Sequence, residues 1–138
     1  MIKEITPLEA WDILQSGENA VVLDVRSTME FQYVGHPVGA VSVPLKEPPA
    51  WETDPEFVDK VRRSMREVHQ YAGDVEDLTI LSICRSGQRS LAAAELLTAD
   101  GFKRVYNVLE GFEGVRDGDN HRNTVNGWRV HGLPWEQS

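Results

Sequence analysis

The sequence predicts an α/β fold in which a parallel sheet is flanked by helices on both faces. Two observations predict it. Short apolar runs alternate along the whole chain with segments patterned for helices, and the run VVLDV, residues 21–25, is a compact apolar block of the kind found in strands buried on both faces. Sheets of this class bind their ligands outside the carboxyl ends of the strands.

The elements follow in order. Thr6, Pro7 and Glu9 supply a hydroxyl cap, a proline at the first helical position and a capping-box acid, leading into Leu8, Trp11, Ile13 and Leu14, with Gly17 as the expected end. After the VVLDV strand, Ser27 or Thr28 caps a short helix running through Phe31. The turn GHPVGA then leads to VSVPL, residues 41–45, a second strand. Pro48 and Pro49 break the pattern before Asp54, Pro55 and Glu56 open a helix. That helix carries Phe57, Val61, Met65 and Val68 at helical spacing and is expected to close at Gly73. LTILSI is the central strand, a helix is expected from about Ser86 to Asp100 with Gly101 at its end, and VYNV is a further strand. The closing stretch from Gly111, rich in Gly and Asn, reads as irregular structure anchored by Trp128, Leu133 and Trp135.

The 138 residues suit one domain, 1–138, with a helical insert near 50–72 and an extended C-terminal segment, 114–138. A formal net charge of -8 argues against a general nucleic-acid binder. The opening MIKEITPLEAWDILQSGE lacks the continuous apolar segment of a secretion signal or membrane span, so a cytoplasmic protein with no membrane partner is expected. The one cysteine cannot close an internal disulfide, which fits a reducing compartment and makes any sulfur chemistry depend on an external partner.

That cysteine, Cys84, stands where the central strand gives way to a loop of Arg85, Ser86, Gly87, Gln88 and Arg89 before an alanine-rich helix. A strand-to-helix loop offers backbone N–H groups with no intrahelical partner, near the positive end of the helix dipole, and such a concavity binds anions. If the anion is the Cys84 sulfur, the setting favours a thiolate at neutral pH. Arg85 and Arg89 add guanidinium groups suited to oxyanions, which implies an anionic substrate. The plainer alternative is a small buried hydrophobe at a strand end, the commonest fate of a free cysteine; two arginines and Gly87 in the same loop favour function.

Four segments, LDVRSTMEF, GHPVGAVSVPL, ICRSGQRS and the terminal GW with GLPW, give the chain a resemblance to the rhodanese-like sulfurtransferases over almost its entire length. Cys84-Arg85-Ser86-Gly87-Gln88-Arg89 resembles that family's six-residue active-site loop, with Ser90 starting the helix behind it. The resemblance implies a rhodanese-like parallel sheet and a Cys84 that accepts a sulfane sulfur, holds it as a persulfide on the loop amides and passes it to an acceptor. It implies no cofactor and no metal. The donor is a small sulfur anion such as thiosulfate, glutathione persulfide or polysulfide. The acceptor is a thiol such as glutathione, thioredoxin or a sulfur-carrier protein, or cyanide in an assay. Arg85 and Arg89 are then the donor-anion candidates, and the amides from Arg85 to Ser90 stabilise the anionic sulfur. Asp24, Arg26 and Glu30 match the family's early Asp-Val-Arg and following acid, and read as structural pairing beside the loop. The insert near 50–72 and the polar segment between Gly114 and Trp128 depart from the pattern; solvated surface loops are expected there, although either could cover the pocket or meet a protein partner.

His36, His69, His121 and His131 lack the close spacing of a metal site and receive no role. A cysteine phosphatase or arsenate reductase places its arginine after five intervening residues, whereas Arg89 follows Cys84 after four, a tighter cradle for one sulfur than for a phosphate. A non-catalytic partner-binding or redox-sensing module is the remaining alternative, and the complete loop disfavours it.

Overall fold

The computed structural model describes residues 2–138. Five strands pair in parallel: β1 (Lys3–Ile5), β2 (Ala20–Asp24), β4 (Val41–Ser42), β5 (Thr79–Ile83) and β6 (Arg104–Val108), in the spatial order β1-β6-β5-β2-β4. From β2 the chain moves outward to β4 and then returns across β2 to β5. The strand order therefore reverses at the carboxyl ends of β2 and β5, where the register sets Asp24 opposite Ile83, next to Cys84.

Alternation along the strands sorts their side chains onto two faces. On one, Val21, Leu23, Ile80 and Val105 pack with Phe57, Val61 and Met65 of α2 (Phe57–Glu67) and Ala93, Ala94 and Leu97 of α3 (Gln88–Ala99). On the other, Val22, Leu81, Ile83 and Val108 pack with α1 (Pro7–Gln15) and with Phe112, Trp128 and Leu133 of the C-terminal stretch. Helices thus cover both faces, as the sequence predicts.

Helix α1 begins as the sequence specifies: the Glu9 amide donates to Thr6 Oγ1 at 3.1 Å while the Thr6 amide donates to Glu9 Oε1 at 2.9 Å. Other boundaries differ for physical reasons. Strand β1 at the sheet edge is too short to show a pattern. The VSVPL strand is regular only at Val41–Ser42, although the Val43 and Leu45 amides still donate to Asp24 and Val25 and carry the chain along β2. Helix α2 ends at Glu67 with Val68 left exposed, and Gln70, in a left-handed conformation, turns the chain before Gly73. The insert near 50–72 is not a solvated loop: Phe57, Val61 and Met65 are completely buried.

The C-terminal stretch also differs from expectation, because Trp135–Glu136 (β7) pairs antiparallel with His36–Pro37 (β3). Trp135 remains 37 % exposed, so the anchoring falls to Trp128 and Leu133. Trp128 lies edge-on to Trp11, with its indole N–H donating to the Pro134 carbonyl at 2.9 Å. No helix among the described residues is long and apolar enough to cross a membrane.

Because the fully buried Trp128 ties the C-terminal stretch to α1, Trp128→Ala is expected to cost about 3–5 kcal/mol. A urea midpoint within error of the parent protein would show that this stretch does not stabilise the domain.

Candidate active site

Cys84 leaves the end of β5 on the face covered by α3 and is 1 % exposed. Its sulfur lies in a cup of two polar groups. The Gly87 amide donates to Sγ at 3.1 Å, and Ser90 Oγ lies 3.2 Å from it. Gly87, rather than a capping side chain, makes the N-cap of α3, with a φ of 118° that a Cβ-bearing residue rarely adopts. The helix consequently begins at Gln88, two residues later than the expected Ser86, and Ser90 belongs to its first turn. Of the amides expected around the sulfur, that of Gly87 is the one within hydrogen-bond distance among the described residues.

Asn107 on β6 completes the cup and was not among the sequence candidates. Its Oδ1 accepts from Ser90 Oγ at 2.5 Å, while its Nδ2 donates to the Gly87 carbonyl at 3.2 Å and to Glu4 Oε2 at 2.8 Å. Those two donations fix which end of the amide faces Ser90. Ser90 has a single hydroxyl proton and two acceptors within reach, Asn107 Oδ1 and the sulfur. When the thiol is protonated it can donate to Ser90; when it is ionised, the hydroxyl can turn its proton onto the sulfur. The one available signal in the sequence is a polar residue inside VYNV, an otherwise apolar strand.

Behind the loop, the carbonyls of Cys84 and Arg85 point away from the sulfur. Phe112 N–H donates to Cys84 O at 2.8 Å, and the Glu113 and Gly114 amides donate to Arg85 O at 3.1 and 3.2 Å. Gly111 permits this approach: a Cβ there would lie 2.5 Å from the Cys84 and Arg85 carbonyl oxygens.

The supporting residues divide differently from the expected grouping. Asp24 and Arg26 form a fully buried pair, 2.7 Å apart, with Arg26 Nη2 also donating to Gly35 O and the guanidinium 4.6 Å from the Phe112 ring centroid. This pair braces the chain beneath the site. Glu30 instead binds Arg89 through two bonds, Nη1 to Oε1 at 2.8 Å and Nη2 to Oε2 at 2.9 Å. Its Oε1 also accepts from the Ser27 amide and hydroxyl while its own amide donates to Ser27 Oγ at 3.3 Å, so Ser27 caps the chain leading into the π-helical turn at Glu30–Val34. Burial opposes the charge on Glu30, but the hydrogen bonds and charge of Arg89, with those from Ser27, outweigh it and hold its carboxyl at about 2. In turn Glu30 raises the Arg89 guanidinium above its ordinary value.

The loop opens into a cleft of about 880 Å³. Met29, Pro48 and Trp51 form part of its wall, and Lys46, Arg85, Arg89, Arg116 and Arg122 contribute the positive charge. Of the two loop arginines, Arg89 is held by Glu30, whereas exposed Arg85 has no side-chain hydrogen bond among the described residues. Ser86 and Gln88 border a neighbouring recess of about 500 Å³.

Fold and loop together define a class, that of parallel α/β proteins carrying a cysteine in the strand-to-helix loop at the carboxyl edge of the sheet. More particularly, residues 6–117 match the Rhodanese-like domain family, and the chain belongs to it. A relative in Rickettsia conorii, an uncharacterized protein, is 32 % identical over 138 residues, covering 98 % of each chain. The thiosulfate sulfurtransferase GlpE of Haemophilus influenzae is 31 % identical over 112 residues, covering 81 % of this chain and 86 % of its own. Among solved structures, Rv0390 from M. tuberculosis superposes with a TM-score of 0.82 at 35 % identity, covering 99 % of this chain and 98 % of that one. The polysulfide-sulfur transferase of Wolinella succinogenes shares the fold, with a TM-score of 0.63 at 18 % identity, covering 99 % of this chain and 80 % of its own.

The depressed Glu30 carboxyl has a consequence for stability. A carboxylate held below its unfolded value of about 4.3 contributes fully above that value, and the contribution disappears as pH falls through the folded value. In urea titrations across pH, the parent protein is expected to be more stable than Glu30→Gln by a constant margin above about pH 5. The margin should close as pH falls toward 2. A margin that does not change with pH would mean that the ion pair with Arg89 contributes nothing to folding.

Proposed function

We propose that the protein is a sulfurtransferase that carries a sulfane sulfur as a persulfide on Cys84, taking it from an anionic donor and delivering it to a thiol, or to cyanide in an assay. The observation that carries this reading is the Cys84 sulfur, met by the Gly87 amide and the Ser90 hydroxyl, in a loop whose Arg85 and Arg89 border a cleft. A buried sulfur facing N–H and O–H donors suits a species that is anionic before and after transfer.

In the first half-reaction the Cys84 thiolate attacks the outer sulfur of the donor. With thiosulfate, the new Cys84 S–S bond forms as the donor S–S bond breaks, and sulfite leaves with the bonding pair. In the second, a thiolate or cyanide attacks the outer persulfide sulfur, and the Cys84 thiolate is the leaving group. Arg85, which has no carboxylate partner among the described residues, is the residue assigned to the donor anion. Arg89, engaged by Glu30, supplies a fixed positive charge beside the loop. Ser86, Gly87, Gln88 and Ser90 complete the loop that surrounds the sulfur. No cofactor enters this scheme, and glutathione, thioredoxin or a sulfur-carrier protein would serve as acceptor in a reducing, cytoplasmic setting.

Intact mass spectrometry tests the scheme directly. After incubation with thiosulfate, glutathione persulfide or polysulfide, the reduced protein should gain one sulfur that cyanide then removes, and Cys84→Ser should gain none. A parent protein unmodified by all three donors would sink the persulfide reading and leave a binding module in its place. Arg85→Gln should raise the KM for thiosulfate about tenfold with little change in kcat, the loss of one charge-assisted contact. An unchanged KM would remove Arg85 from donor binding.

A further inference from the structure

The segment between Gly114 and Gly127 is an ordered loop closed at its base. The Val115 amide donates to Asn126 Oδ1, the Asn123 amide to Glu113 O, and Arg122 Nη1 to Gly114 O. Asp117 gathers its tip, accepting from the Asp119 and His121 amides and from the Thr124 hydroxyl. The loop is therefore shaped by its own hydrogen bonds, and it brings Arg116 and Arg122 to the cleft that also contains Arg85.

The charge there runs against that of the chain. In a protein of net charge -8, Lys46, Arg85, Arg89, Arg116 and Arg122 border one cleft, and its acids are Glu30 and Glu113. Glu30 is taken by Arg89. None of Arg85, Arg116 and Arg122 has a carboxylate ion-pair partner among the described residues. Burial, then the charges of Arg85 and Arg116, push the Arg122 guanidinium down from its ordinary value, with Glu113 opposing. Like charges gathered in this way, each without an anion, are stabilised by a ligand that brings more than one negative group.

The volume of the cleft narrows the choice of ligand. About 880 Å³ falls within the roughly 300–1,000 Å³ typical of sites for organic ligands, and thiosulfate would fill a small part of it. Arg116 and Arg122 also border the second recess, beyond Ser86 and Gln88, which Arg85 does not. Building on the sulfur-transfer reading of Cys84, we infer that the 114–127 loop makes the cleft selective for a low-mass organic persulfide bearing at least two carboxylates. Arg116 and Arg122 receive the carboxylates remote from the reacting sulfur. The transfer step balances as before: the Cys84 thiolate attacks the outer sulfur of the organic persulfide, the S–S bond of the donor breaks, and the organic thiolate leaves.

Single-turnover loading of Cys84, followed by intact mass over a range of concentrations of glutathione persulfide or of thiosulfate, tests this. In Arg116→Gln, and separately in Arg122→Gln, the preference for glutathione persulfide over thiosulfate should fall about tenfold, through a higher half-saturating concentration of the organic donor. Arg116 is exposed, so its replacement leaves the fold intact, and Arg116→Lys should retain most of the preference because the charge is kept. A preference unchanged in both Gln variants, or an equal loss with both donors, overturns the proposed selectivity while leaving the sulfur-transfer reading standing. Failure of both donors to load Cys84 in the parent protein overturns the selectivity, and failure of polysulfide as well overturns the sulfur-transfer reading with it.

Discussion

Three backbone amides, those of Phe112, Glu113 and Gly114, take the carbonyls of Cys84 and Arg85, and the remainder of the site depends on that engagement. A strand-to-helix loop has as many carbonyls as amides, and a thiolate tolerates only the amides nearby. Turning these two carbonyls backward keeps both off the sulfur, and the next peptide, between Ser86 and Gly87, presents its N–H to it. The same turn ends at Gly114, from which the 114–127 loop projects over the cleft. Gly111 is required at the crossing because the two backbone segments touch there.

Charge is distributed on two levels. Beneath the site, Asp24 and Arg26 neutralise each other out of contact with water and tie the end of β2 to Gly35. Such a buried pair gives little net stability against an apolar replacement but is costly to break by removing one partner, so it fixes geometry more than it adds free energy. At the surface of the cleft, Glu30 holds Arg89 by two parallel bonds and leaves Arg85 as the loop guanidinium without a carboxylate.

Local signals carried most of the architecture. The capping box at Thr6, the apolar block at residues 21–25 and the punctuation around Cys84 each depend on neighbours within a few residues, and each appears in the structure. What escaped the sequence depends on partners far along the chain. Arg89 looks like an anion ligand until Glu30, 59 residues away, is placed against it. Asn107 looks like an interruption of a strand until β6 lies beside the Cys84 loop. Strands β3 and β7, two residues each, have no periodicity to read and exist because they meet each other. The helix of the insert was legible in its apolar spacing, whereas the expectation of a solvated loop there failed because the sheet face that it covers was not.

The parts that surround Cys84 come from Glu4, Glu30, the loop itself, Asn107 and the turn at Gly111–Gly114, and the Glu4–Asn107 bond spans 103 residues. Contacts of that separation form only when the chain entropy of closing long loops has been overcome, late in the assembly of a parallel sheet. A nascent or partly unravelled chain therefore carries the cysteine without its cup. The surroundings of the Cys84 sulfur are thus a property of the completed fold and not of the loop sequence alone.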